Sequence, residues 1–167
     1  MRHLTVFGIL PLILFASLPA QAQMATIEPE GVGQIFCIGS LGNDMAPVEA
    51  LLSPDLAALV ADAEVKNAAF EAANPGDKPP LGDGLPWRTW PDYADGCTVG
   101  EAVAEREMAT VVISYSFSEA PDANYSNELI LRPATFADGA PLVWRIDDID
   151  LGDGNSFRSI LEAMFAP

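Results

Sequence analysis

The densest group of chemistry-bearing side chains is acidic: Asp147, Asp148, Asp150 and Asp153 lie close together near the end of the chain. Calcium prefers oxygen ligands of this kind. Counted from Asp148, however, an EF-hand loop fails, because Gly152 and Asp153 interchange the expected acid and glycine and Ser159 stands where a bidentate acid belongs. The pattern instead predicts an ion pair from Asp147 or Asp148 to Arg132 or Arg145, then a turn at Gly152, Asp153 and Gly154. A second group is aromatic. Trp87 and Trp90 flank Arg88 and Thr89 directly after a Pro/Gly-rich loop. Such indoles either rim a ligand pocket or anchor a partner, or they cover the open end of a core.

Other chemistries are excluded or left without a place. The one histidine, His3, falls in a segment read below as a removable leader, so no Ser-His-Asp or Cys-His arrangement and no His-bearing zinc site is expected. Ser40 sits in a near-miss of a nucleophile elbow, with Ile38 where the motif requires glycine. Neither a phosphate-binding loop nor a dinucleotide fingerprint occurs, so no cofactor is expected. Carboxylates are plentiful, yet a glycosidase pair is defined by a separation that sequence does not give. Tyr115 or Asp148 facing a pocket would be the acid or base of an isomerase-type site.

The elements that must position these groups begin with a leader. Arg2 and His3, an apolar run from Leu4 to Leu18, and the small-residue site Ala20, Gln21, Ala22 have the form of a secretory signal peptide. Cleavage after Ala22 leaves a single domain, 23–167, with no further membrane span and a periplasmic or secreted destination. Removing Arg2 leaves 7 basic against 24 acidic side chains, one charge more negative than the −16 of the whole chain. That charge excludes nucleic acid as a partner and favours encounter with basic surfaces. Cys37 and Cys97, an even count in an exported chain, are expected to pair as a staple; a redox thiol would want a C-x-x-C pair or a neighbouring base.

The chain should be helical first and stranded afterwards. Val32, Ile35 and Phe36 have helical spacing, but Gly31, Gly33, Gly39 and Gly42 predict a short, imperfect first helix. Asp44 and Pro47 can open a second piece through Leu52. Ser53 as N-cap, Pro54 at the first position, then Leu56, Leu59, Val60 and Ala63 predict a helix to about Phe70 that lies on the sheet. Alternation in Val111, Ile113, Tyr115 and Phe117, in Tyr125, Leu129 and Leu131, and in Leu142, Trp144 and Ile146 gives three antiparallel strands, with a bulge near Asp147 and Asp148. Cys97 to Val103 adds a fourth strand, Ala104 to Met108 turns into the next, and Phe157, Ile160, Leu161 and Met164 close the chain with a short helix. The class is α+β, with helices on one face of a meander of about four strands.

The run Trp144, Arg145, Ile146, Asp147, Asp148, Ile149, preceded by Ser53, Pro54, Leu56 and Leu59, resembles an exported bacterial family of unknown function in the nuclear transport factor 2-like superfamily. The resemblance spans roughly Val32 to Phe165 and implies a cone, with a curved sheet wrapped around helices and a pocket at its wide end. That superfamily holds isomerase-like enzymes, small-molecule binders, scaffolds and toxin-blocking immunity proteins, so fold does not choose among them. The expected function is a non-catalytic binding domain for a partner protein with a basic face or a small apolar ligand. The contact residues would be Trp87, Trp90, Asp147, Asp148 and Asp150. A pocketed isomerase or hydratase and a structural envelope component are the alternatives.

Overall fold

The structure, a computed structural model, describes residues 27–135 and 142–166. The leader read from Met1 to Ala22 lies outside them. Three helices come first: α1 (Pro29–Gly42), α2 (Ala46–Glu49) and α3 (Pro54–Ala73). Strands β1 (Gly96–Val99), β2 (Val103–Glu105), β3 (Met108–Ser116), β4 (Tyr125–Ala134), β5 (Val143–Gly152) and β6 (Asn155–Ser156) follow, and α4 (Phe157–Met164) closes the chain. The sheet is antiparallel in the order β1-β3-β4-β5-β6, with β2 also paired to β3. The described residues therefore form an α+β fold with six strands, where the sequence predicts about four.

The difference comes from short pieces. Gly100 donates its N–H to Val112, and the chain then leaves the ladder as the Ala102 N–H turns to the Glu30 carboxylate. The single strand expected over Cys97 to Val103 is thus cut into β1 and β2. The expected turn over Ala104 to Met108 tightens around Arg106, whose φ of 47° is left-handed, so that Ala104 and Glu105 still pair. At the other end the Gly152–Gly154 turn folds β6 back on β5.

Alternation in β3 and β4 buries Ala109, Val111, Ile113, Tyr115, Asn127, Leu129 and Leu131 on one face. Helix α1 lies on that face. It is longer than its glycines predict because one of them is used for contact: a Cβ on Gly33 would come within 2.9 Å of methyl groups of Val99 and Val111. The disulfide Cys37–Cys97, Cα to Cα 5.8 Å across a sequence separation of 60, ties α1 to β1. On the chain-entropy model a loop of that size contributes about 4 kcal/mol.

Helix α3 starts as the sequence predicts, with the Ser53 hydroxyl accepting from the Leu56 N–H at 3.2 Å, and it runs on to Ala73. Only Leu56, Val60 and Ala63 are buried along it. These pack toward β5 and α4, while the second half of the helix stands out in solvent. The helical piece expected from Asp44 through Leu52 is one turn of α2; Leu51 and Leu52 then bridge to Ile146 and cover the edge of β5. The bulge forms where it is expected: Ile130 faces Asp148 and Leu131 faces Ile146, which leaves Asp147 as the extra residue. Among the described residues no helix is long and apolar enough to cross a membrane.

Candidate functional site

The segment from Trp87 to Tyr93 crosses the region between the end of α1, β4 and α4 without joining the sheet. Trp87, Arg88, Thr89 and Trp90 are each held by a contact. Trp87 is buried and stacks on Phe157, the first residue of α4, with ring centroids 4.6 Å apart. Thr89 is stitched to the sheet twice. Its N–H donates to Asn127 Oδ1 at 3.3 Å, and its hydroxyl donates to the Leu151 carbonyl while accepting from the Asn127 amide. Asn127 is one of three buried polar residues among those described, the others being Ser40 and Ser53, and its amide nitrogen also donates to the Ser126 carbonyl at 3.3 Å.

Arg88 and Trp90 alternate outward from those anchors. The Arg88 guanidinium donates to the Ser40 carbonyl at 3.1 Å and to the Pro91 carbonyl at 3.2 Å, and it lies 5.4 Å from the centre of the Tyr93 ring. Trp90 is half exposed, and its indole N–H donates to Asp92 at 2.9 Å, which fixes the ring. Beside this segment lies an open cleft of about 520 Å³. Trp87, Trp90 and Tyr93 form its aromatic wall, with Pro80, Leu85 and Met45 among the other lining residues. The volume falls in the range of small-molecule sites. Arg88 is the one cation lining the cleft among the described residues; Asp83, the one acid, is paired with Lys78.

Beneath the cleft the Ser40 hydroxyl lies 2.9 Å from the Tyr115 hydroxyl and donates to the Cys37 carbonyl. Burial pushes the Tyr115 phenol up to about 12, against the lowering effect of the Ser40 bond and the Arg88 charge. Tyr115 is thus protonated at neutral pH. Tyr125 stacks on it at 4.9 Å and is also raised by burial.

Asp147, Asp148 and Asp150 do not line the cleft. Asp147 accepts from Arg158 at 2.8 Å, from Ser53 at 2.8 Å and from Arg132 at 3.2 Å. Asp148 accepts the N–H of Arg158 at 3.0 Å, in the first turn of α4, where a carboxylate is favoured. Asp150 accepts the Gly152 N–H at the β5–β6 turn. The sequence-level pairing of Asp147 with Arg132 forms, while Arg145 turns to the Ala50 carbonyl instead. Among the described residues no group of three or more His, Cys, Asp or Glu side chains is placed to hold a metal ion.

The structure therefore brings Trp87 and Trp90 to one cleft and leaves the aspartates out of it. Sequence reasoning names Arg88 and Thr89 only as neighbours of the tryptophans and misses Tyr93 and Asn127. Asn127 carries a readable signal, since it is a polar residue at an inward position of a strand whose next inward residues are Leu129 and Leu131. Comparisons with family models, with curated proteins and with solved structures found no match for this chain.

Proposed function

We propose that this protein is a binding domain that holds a small, largely apolar ligand against the Trp87–Tyr93 segment without transforming it. The observation that carries the reading is the half-exposed Trp90, locked by Asp92 on the wall of a 520 Å³ cleft whose floor residues are already fixed. A rigid aromatic surface beside a concave site lowers the ordering cost of binding. The isomerase-type alternative is less favoured, because Tyr115 is committed to Ser40 and too weak an acid to exchange its proton readily near neutral pH, and Asp148 is committed to α4. The acidic partner-docking alternative is less favoured too, since each aspartate of the β5 end already satisfies an internal donor.

Export belongs to the same proposal. It is supported by the leader pattern and by the Cys37–Cys97 disulfide, which fits an oxidising compartment. Membership of the nuclear transport factor 2-like superfamily, with a cone-like curved sheet, is likewise part of it, supported by helices that precede an antiparallel meander. The test is binding of a neutral apolar fluorophore, N-phenyl-1-naphthylamine, to the oxidised protein, followed by displacement with a library of small apolar compounds. Saturable binding that Trp90→Ala weakens by about tenfold or more is expected. Equal binding by Trp90→Ala and the parent would reject the site.

A further inference from the structure

Arg88 lines the cleft as a cation with no carboxylate partner among the described residues. Acidic side chains outnumber basic ones three to one in this chain, with 24 against 8, so a basic group is seldom far from a carboxylate. Lys66 pairs with Asp62, Lys78 with Asp83, and Arg132 and Arg158 both with Asp147. Among the described residues Arg88 forms no ion pair, although it is partly buried. Its charge is compensated by two backbone carbonyls and the face of Tyr93. A guanidinium carries five N–H donors. Two are donated to Ser40 and Pro91, and the other three have no hydrogen-bond partner among the described residues.

Withdrawing a cation from water without an anion is unfavourable. Here the partly buried cation lines an open cleft in which aromatic and proline side chains mix with Ser40, Asn43 and Thr89, and Asp83, the one acid lining it among the described residues, is paired with Lys78. The two carbonyls fix the guanidinium plane, so a carboxylate arriving in the cleft would meet a pre-oriented fork instead of a mobile side chain. Among the described acids a ligand amine in the cleft would meet only Asp83, which is already paired with Lys78.

We propose that the ligand of the cleft is a small apolar monocarboxylate, its carboxylate on Arg88 and its hydrophobic body between Trp90 and the proline-lined wall. This inference rests on the cleft being a ligand site, and it adds the charge and the anchoring residue. The negative charge of the whole protein excludes polyanions, and one carboxylate meeting one guanidinium limits that repulsion.

The experiment uses matched triplets of an acid, its primary amide and its amine, with aromatic and branched aliphatic tails, for example 3-phenylpropionate, 3-phenylpropionamide and 3-phenylpropylamine. Each is titrated into the oxidised protein while the Trp90 indole N–H resonance is followed. The expected result is acid binding roughly tenfold or more tighter than the amide, with the amine weakest. Arg88→Gln should bring the acid down to the level of the amide while amide binding persists, and Arg88→Lys should restore part of the preference. Amides that equal or exceed their acids on the parent protein would overturn the carboxylate assignment and leave the cleft standing as a ligand site. Triplets that shift resonances elsewhere and never Trp90 would overturn the site itself.

Discussion

The Trp87–Tyr93 segment and the acidic end of β5 both stand out in the sequence as places to bind something, and the fold uses them in opposite ways. In the acidic stretch the carboxylates are taken up by internal donors. Asp147 holds Arg132, Arg158 and Ser53, Asp148 serves the start of α4, and Asp150 serves a turn. In the aromatic segment the anchoring is done by Thr89 and Trp87, which frees Trp90 and Arg88 to face a cleft. Density of charge here marks a place where the fold's own donors need acceptors. A ligand site is marked by side chains left over after those needs are met.

Substitutions separate the two regions. Trp87→Ala removes a buried indole and its stack on Phe157, and should lower stability by about 3–5 kcal/mol in denaturant unfolding. Asp147→Ala should cost about 2 kcal/mol, as it strands Arg158 and Ser53, and should leave ligand affinity unchanged in the same fluorophore titration. Trp90→Ala should do the reverse, with stability within about 0.5 kcal/mol of the parent and affinity reduced by about tenfold. If Asp147→Ala weakens binding as much as Trp90→Ala does, the division fails.

A smaller effect concerns the layer beneath the cleft. Tyr115 has a folded-state pKa raised to about 12. The unfolded chain loses that phenolic proton near the ordinary value of about 10, whereas the folded chain retains it. The contribution is therefore fully present below about pH 10 and is lost as pH rises from about 10 towards 12. Absorbance of tyrosinate during alkaline titration should show late-titrating phenols from Tyr115 and Tyr125, with one fewer in Tyr115→Phe. A Tyr115 that ionises near the ordinary phenol value of about 10 would mean that the layer beneath the cleft is open to water.

Much of the fold is legible in the sequence because its signals are local. The alternation of β3 and β4, the Ser53–Pro54 start of α3, the bulge at Asp147 and the Cys37–Cys97 pair all follow from residue types within a few positions or from compartment chemistry. What is not legible depends on contacts between distant segments. Gly33 reads as a helix weakener, yet it lets α1 close onto Val99 and Val111. Arg158 does not read as the partner of Asp147, because the β6 hairpin that returns it to β5 is built from only two paired positions. In the site, the two tryptophans are visible at once, but their different fates are decided by Phe157 and by Asn127, dozens of residues away.

The central claim is that the aromatic cleft, and not the acidic end of β5, is where this protein meets its ligand. A chemical-shift map of the isotope-labelled, oxidised protein titrated with a displacing apolar compound tests it most directly. The account predicts shifts confined to Trp90, Tyr93, Arg88 and the residues beside them in the cleft, with Asp148, Asp150 and Asp153 unmoved. Shifts concentrated on those aspartates, with the Trp90 indole unchanged, would contradict it.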